Sequence, residues 1–316
     1  MVPRLVKDLR GGIEISMIYK LVALDIDNTL FDWVGYYTRS FGCLIDAVAQ
    51  ETGLNHETLY QESKDVFTER GSIEYPFLIQ SLPSVCRFYG KDVDALLNGA
   101  VVKGRDAFLE AAEKFLVPYD GVVETLGFIK KSQPGLPLVA LTDAPRYVAM
   151  WKLNKLGILH LMDAVYGLAD PILPVSASKD RIVVDPKILL KHHLKENFGF
   201  SGKIRILPDE YEKPGTRGLK TVLMDYNESE SIESSQVLWV GDNLRKDVGL
   251  GKSLGVRTAW AKFGTEFDRS YLKDLMKFSP EINVRKNVSL DPRDSKTPKP
   301  DIVLEAFSDL KALITK

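Results

Sequence analysis

Tyr19-Lys20-Leu21-Val22-Ala23-Leu24-Asp25-Ile26-Asp27-Asn28-Thr29 is the stretch that decides the fold. Tyr19 to Leu24 is a short apolar run that stops at two carboxylates. A run without polar alternation reads as a parallel strand buried on both faces, here with polar groups at its carboxyl end. Working outward, three more runs share that form. Leu138 to Leu141 ends at Thr142 and Asp143, Val237 to Val240 ends at Gly241 and Asp242, and Val256 to Ala261 ends near Gly264. Asp163 to Tyr166 is a weaker candidate. Helical patterns lie between these runs, at Val122 to Lys131 after Asp120 and at Tyr147 to Leu156 after Pro145. Alternating strands and helices predict an α/β fold with a parallel, Rossmann-like sheet. Ligands bind such sheets at the carboxyl ends of the strands, where these polar residues fall.

The stretch from Gly35 to Leu116 has a different character. Phe41, Leu44, Ile45 and Val48 recur at helical spacing. Asn55 is a helix cap, and Gly53, Gly71, Gly90 and Gly104 fall between or near helical segments. This predicts an inserted all-helical cap (35–116), because long structureless loops are rare inside compact domains. The α/β core is then discontinuous, 17–34 with 117–316, and residues 1–16 are an N-terminal extension ahead of the cleaner start at Met17. Leu168 to Gly202 contains a marked helix, with Asp185 as cap, Pro186 at its first position and Gly199 as its stop. Asn227 to Gln236 and Arg285 to Pro300 read as surface loops.

Composition excludes some classes of function. Of 316 residues 45% are hydrophobic and 27% charged, which is ordinary for a globular protein. Lys+Arg (42) and Asp+Glu (43) nearly cancel, so no global field draws the chain to nucleic acid or membrane, and neither is expected as a partner. No apolar run is long enough to span a bilayer, and Met1 to Ser16 lacks the apolar centre of a signal peptide. Cys43 and Cys86 match no metal-ligand spacing and suit a reducing cytoplasm. Nothing in the sequence speaks to the oligomeric state.

Four pieces carry chemistry. Asp25 and Asp27 lie where a strand ends and turns, so both approach one ligand. Paired acids repel unless a cation intervenes, and a cluster of oxygen ligands suits magnesium. A calcium loop is the wrong reading, since its sixth position is Leu30 rather than Gly and its twelfth is Tyr36 rather than Glu. Thr142 closes a strand with a hydroxyl and free backbone N–H groups, good phosphate donors, and Asp143 follows it in the same segment. Lys213, just before Pro214, is read as preceding a proline-initiated helix and aiming its ammonium at a phosphoryl group; Lys179 is the rival. Gly241 lets the backbone come close, Asp242 completes the metal site, and Asp247 supports it from the next helical turn. Each piece alone has a blander reading, such as a solvated turn, a helix cap or a surface lysine. His56, His160, His192 and His193 fit no motif, and adjacent His192 and His193 face apart on a helix.

Taken in order, Asp-x-Asp-x-Thr, Thr, Lys and Gly-Asp resemble the four motifs of the haloacid dehalogenase superfamily. Pro118-Tyr119-Asp120-Gly121 before a helix, Leu156-Gly157-Ile158 before Asp163-Ala164-Val165, and Pro300-Asp301-Ile302-Val303 near the end are similar to its supporting segments. The resemblance spans Tyr19 to Leu313, and the insertion after the first motif resembles the family's helical cap class. The longer stretch between Thr142 and Lys213 and the loop at 285–300 depart from its pattern.

The resemblance implies roles by position. Asp25 is the nucleophile that takes the phosphoryl group, and Asp27 is the acid and base. Magnesium is held by Asp25, the Asp27 carbonyl and Asp242, with Asp247 behind them. Thr142, Asp143 and Lys213 form the phosphate-binding side. The family's dehalogenases and phosphonate hydrolases lack an acid where Asp27 stands, which favours hydrolysis of a phosphate ester. A lid favours a small phosphorylated metabolite or nucleotide as substrate. A phosphomutase, a macromolecular phosphatase and a non-catalytic magnesium-dependent phospho-ligand binder keep many of the same residues and stay open.

Overall fold

The computed structural model describes residues 19–90, 92–171, 197–227, 231–280 and 293–314. Strands β1 (Leu21–Leu24), β2 (Leu138–Pro145), β3 (Ala164–Leu168), β4 (Lys203–Leu207), β5 (Val237–Gly241), β6 (Arg257–Ala261) and β7 (Ile302–Leu304) form one sheet. Their order is β4-β3-β2-β1-β5-β6-β7, and all pairs are parallel. Every residue of β1 and β5 is buried, which is why their sequences are unbroken apolar runs. The chain leaves β1 toward β2 on one side and later returns to pair β5 with β1 on the other. This reversal opens a crevice at the carboxyl end of β1.

The structure extends β2 to Pro145, so Thr142 and Asp143 lie within the strand, next to a register shift against β3. It also adds β4, which the sequence reading did not predict. β4 is an edge strand with Lys203 and Arg205 exposed, so it lacks the apolar run that marks the others. Lys203 Nζ sits 2.8 Å from Asp225 Oδ2. Asp225 lies on the helix Arg217–Asn227.

The inserted stretch after β1 holds the helices α1 (Trp33–Thr52), α2 (His56–Arg70), α3 (Pro83–Tyr89), α4 (Val93–Leu96) and α5 (Val102–Phe115). Asp32 caps α1 by accepting from the Gly35 N–H at 2.8 Å. Gly53 ends α1 in the left-handed region (φ 69°), and its N–H donates to the Ala49 carbonyl. Asn55 caps α2 through its Oδ1, 2.7 Å from the Glu57 nitrogen. Gly104 does not separate helices. It lies inside α5, where a Cβ would stand 2.7 Å from Ile79 Cδ1 and 2.9 Å from Val48 Cγ2, so it is a close-packing position.

Helices α6 (Val122–Ser132), α7 (Arg146–Lys155), α8 (Arg217–Asn227), α9 (Gly249–Ser253) and α10 (Ser270–Phe278) follow in the core sequence. One apolar cluster joins the insertion to the sheet: Phe41, Ile45 and Phe67 of the insertion share it with Val22, Leu24 and Leu138. α10, from the connection between β6 and β7, packs on α1 and α2. Phe278 stacks on Phe41 with ring centroids 3.9 Å apart.

The predicted helix after Asp185 and Pro186, together with Lys179, His192 and His193, lies outside the described residues, as do residues 1–18 and the first half of the loop at 285–300. Neither Cys43 nor Cys86 is in a disulfide, and Cys86 Sγ donates to the Gln80 carbonyl at 3.3 Å. Among the described residues no helix is long and apolar enough to cross a membrane.

Candidate active site

The crevice beyond β1 gathers residues from every predicted motif. Asp25, Asp27, Thr142, Asp143, Lys213, Asp242 and Asp247 all line one pocket of about 780 Å³, a volume that includes its open mouth. Asp25 continues the β1 pairing, its N–H donating to the Val240 carbonyl at 2.8 Å. Asn28 then takes a left-handed conformation (φ 55°), a turn that asparagine tolerates. Its Oδ1 accepts from the Trp33 N–H at 3.0 Å, so the acidic turn is tied to the start of α1.

Lys213 reaches the centre of this cluster. Its Nζ lies 2.7 Å from Asp25 Oδ1 and 2.9 Å from Asp247 Oδ1. The segment differs from the proline-initiated helix expected there. The Lys213–Pro214 bond is cis, Gly215 closes a turn onto Glu212, and α8 begins only at Arg217. Asp143 lines the pocket, and its carboxylate engages two lysines. Its Oδ1 accepts from the Lys213 N–H at 2.8 Å and its Oδ2 from Lys246 Nζ at 3.0 Å. A carboxylate so engaged orients the two lysines, and it would repel a phosphate. Thr142 is buried, its Oγ1 accepting from the Ala144 N–H at 3.1 Å, and its hydroxyl proton is left to donate.

After β5 the chain turns sharply. A Cβ on Gly241 would lie 2.4 Å from Asp247 Cγ, and one on Gly264 would lie 1.7 Å from the Asn28 carbonyl oxygen, so both positions exclude a side chain. Asn243, rather than Asp242, is the cap of the following turn, accepting from the Arg245 and Lys246 N–H groups. Asp242 is thereby free to face the pocket.

Asp25, Asp242 and Asp247 offer carboxylate oxygens that all lie within 4.8 Å of one another. All three are buried. Burial pushes Asp25 up to about 7, against the pull of Lys213 and helped by Asp247. Burial, then Asp247 and Asp25, raises Asp242 well above the ordinary carboxylate range. Burial disfavours the Lys213 ammonium, but Asp247, Asp25 and Asp143 outweigh it and hold the lysine firmly charged. One ammonium against three carboxylates leaves an excess of buried negative charge. A divalent cation on hard oxygen ligands suits that excess.

Asp27 lies apart from this cluster. Its Oδ1 accepts from Lys152 Nζ at 2.7 Å, and its carboxylate is not one of the three that converge. Of its possible metal ligands this leaves the backbone carbonyl that the resemblance implied. Burial raises Asp27 to about 6, with Lys152 opposing.

The sequence reading missed Lys152, Lys246, Glu74 and Trp33. Lys152 had a visible signal: it falls at helical spacing among the buried Ala149, Leu153 and Leu156 of α7, where a lysine is out of place. Glu74 had none, because only the fold brings Gly71, Ser72, Ile73 and Glu74 over the pocket. Arg39, Arg70 and Arg105 of the insertion do not line the pocket. Arg39 stacks on Phe115 at 3.9 Å, Arg70 lies over Tyr75 at 5.1 Å, and Arg105 pairs with Asp106 at 2.8 Å.

No protein-family model and no curated protein sequence matches the chain. Solved structures do. A 2-haloacid dehalogenase from Pseudomonas syringae pv. Tomato DC3000 is 15% identical, with a TM-score of 0.51, over 94% of this chain and 98% of that one. A HAD phosphatase from Thermococcus onnurineus is 15% identical with a TM-score of 0.47, over 93% and 97%. The magnesium-bound HAD-hydrolase YfnB from Bacillus subtilis is 13% identical with a TM-score of 0.47, over 95% and 100%. The parallel sheet, its order and the site at its switch point, together with the first of these likenesses, give this chain the fold of the haloacid dehalogenase-like hydrolases.

Proposed function

We propose that this protein is a magnesium-dependent phosphatase that hydrolyses a small phosphate monoester through an aspartyl-phosphate on Asp25. The observation that carries this reading is the Asp25 carboxylate, 2.7 Å from Lys213 Nζ and beside Asp242 and Asp247, at the carboxyl end of the central strand.

One Asp25 oxygen attacks phosphorus, and the bond from phosphorus to the ester oxygen breaks with its electron pair leaving on that oxygen. Asp27, through Oδ2, gives that oxygen a proton. Asp27 then takes a proton from water, whose oxygen attacks phosphorus, releasing inorganic phosphate and restoring the Asp25 carboxylate. Lys213 and the Thr142 hydroxyl hold the phosphoryl oxygens, and Asp143 holds Lys213 by its backbone N–H. Asp25 and Asp242 would hold the magnesium ion, with Asp247 beside them; when bound, it offsets the repulsion between an anionic nucleophile and an anionic ester.

Two features favour this over the other chemistry of the fold. Asp27 is an acid at the position where the fold's dehalogenases need none. Trp33 and Gly71 to Glu74 of the helical insertion form one wall of the pocket, which suits a small substrate rather than a macromolecule.

The test is phosphate release from an aryl phosphate, with and without magnesium, by wild type beside Asp25→Asn. The account expects magnesium-dependent release that the substitution abolishes. Equal release by both proteins would refute it.

A further inference from the structure

Lys152 is a buried cation to which the chemistry above gives no task. Its side chain is 0% exposed. It projects from α7, outside the four motifs, and its Nζ contacts two carboxylates. One is Asp27, at 2.7 Å. The other is Glu74, in the segment that roofs the pocket. Glu74 in turn accepts from Trp33 Nε1 at 2.9 Å, and the Trp33 N–H donates to Asn28 at 3.0 Å. The contacts close a ring: Asp27, Lys152, Glu74, Trp33, Asn28, and back along the chain to Asp27. The ring joins the acidic turn, a core helix and the helical insertion.

We infer that Lys152 is a positioning residue that fixes the Asp27 carboxylate for proton transfer, and that Glu74 lends the insertion's closed position to that task. The inference rests on the phosphatase reading above. Three features of the geometry support it. A lysine has no need of two carboxylates for burial alone, yet both are spent on it here. Asp27 keeps 26% of its side chain exposed, so one oxygen meets Lys152 while the carboxyl still faces the pocket. Glu74, at 10% exposure, comes from the only part of the described insertion that lines the pocket beyond Trp33. With the roof in place, Lys152 is held from two sides and Asp27 Oδ1 has one fixed partner. The free rotation that would carry the other oxygen away from the leaving group is thereby removed.

Proton donation matters in proportion to the leaving group's basicity, and this gives a readout that a merely structural role would not move. An aryl phosphate leaves as a stable phenolate and needs little help. An alkyl phosphate leaves as an alkoxide and needs the proton. The experiment measures kcat/KM on p-nitrophenyl phosphate and on a simple alkyl phosphate for wild type, Asp27→Asn, Lys152→Met and the double variant Lys152→Met/Glu74→Gln. The double variant removes the Glu74 charge that Lys152→Met alone would leave buried without its cation, so it guards against simple misfolding. The expected result is a loss of about 10²-fold on the alkyl ester and less than about tenfold on the aryl ester in both Lys152 variants, following the pattern of Asp27→Asn. Equal losses on the two esters in both Lys152 variants, or no loss, would overturn the inference while leaving the phosphatase reading intact. If Asp27→Asn itself lost the two activities equally, the reading of Asp27 as the acid would fall first.

Discussion

The carboxyl edge of the sheet and the helical insertion above it face the same pocket but are built on different terms. At the sheet edge each polar residue follows directly from a buried strand: Asp25 from β1, Thr142 and Asp143 in β2, Asp242 from β5. The strand fixes the direction and the following turn fixes the side chain. In the insertion, Glu74 and Ile73 reach the pocket only because α1 and α2 pack on the core and on α10. Local sequence therefore determines the chemistry, and tertiary packing determines what covers it. Substitutions at the edge are expected to strike turnover, and substitutions in the insertion to strike stability or selectivity.

The largest expected effect is at the edge. Asp25→Asn should lower turnover by at least about 10³-fold, because it removes the nucleophile itself. Loss of phosphate release with unchanged circular dichroism would check this, and residual activity near wild type would break the division. Next, Lys213→Met should lower kcat by roughly 10²–10³-fold. It should also destabilise the metal-free fold by about 3–5 kcal/mol in urea, since Asp25 and Asp247 lose the ammonium between them. An edge residue that proved dispensable for stability would show that this pair is not held as tightly as its burial implies.

The third prediction concerns pH. Burial raises Asp25 to about 7 and Asp27 to about 6 from the ordinary 3.8. As pH rises from about 4 to about 7, the unfolded chain gives up these protons before the metal-free folded chain does, so stability falls across that window. Magnesium needs the ionised carboxylates and competes with the same protons. Its stabilising effect on the melting temperature should therefore be greater at about pH 8 than at about pH 5. A magnesium shift that shrank as pH rose would contradict the proposed ligands.

In the insertion, the expected effects are smaller. Gly104→Ala would press a methyl against Ile79 and Val48 and should cost about 1–3 kcal/mol of overpacking, partly offset by better helix propensity. Turnover should stay close to wild type. Smallest of all, Arg105→Ala should change stability by less than about 0.5 kcal/mol and leave kcat/KM unchanged, since Arg105 pairs with its neighbour Asp106 on the surface. A marked rise in KM would show that the insertion reads its substrate through a residue that does not line the pocket.

The same contrast explains how much was legible in the sequence. The parallel sheet was readable because β1, β5 and the first half of β2 are unbroken apolar runs, and the edge strand β4 was not, because Lys203 and Arg205 interrupt it. The helices of the insertion were readable from Asn55, Gly53 and the spacing of Phe41, Leu44, Ile45 and Val48. Their placement over the pocket was not, because the stacking of Phe278 on Phe41 joins residues far apart in the chain. The carboxylates of Asp25 and Asp242 announced themselves at strand ends. Lys152 did not, since its partners Asp27 and Glu74 lie on different elements. Gly104 and Pro214 show the limits of local signals, one standing inside a helix rather than between two, the other in a turn ahead of one.

The central claim is a covalent phosphoryl group on Asp25. The most direct measurement is borohydride reduction of enzyme quenched during turnover of a phosphate ester, followed by peptide mass spectrometry. Hydride converts an aspartyl-phosphate to homoserine, so the account predicts homoserine at position 25 in a substrate-dependent fraction of the protein. Steady phosphate release with no reduced residue there, or with the modification on another carboxylate, would contradict it.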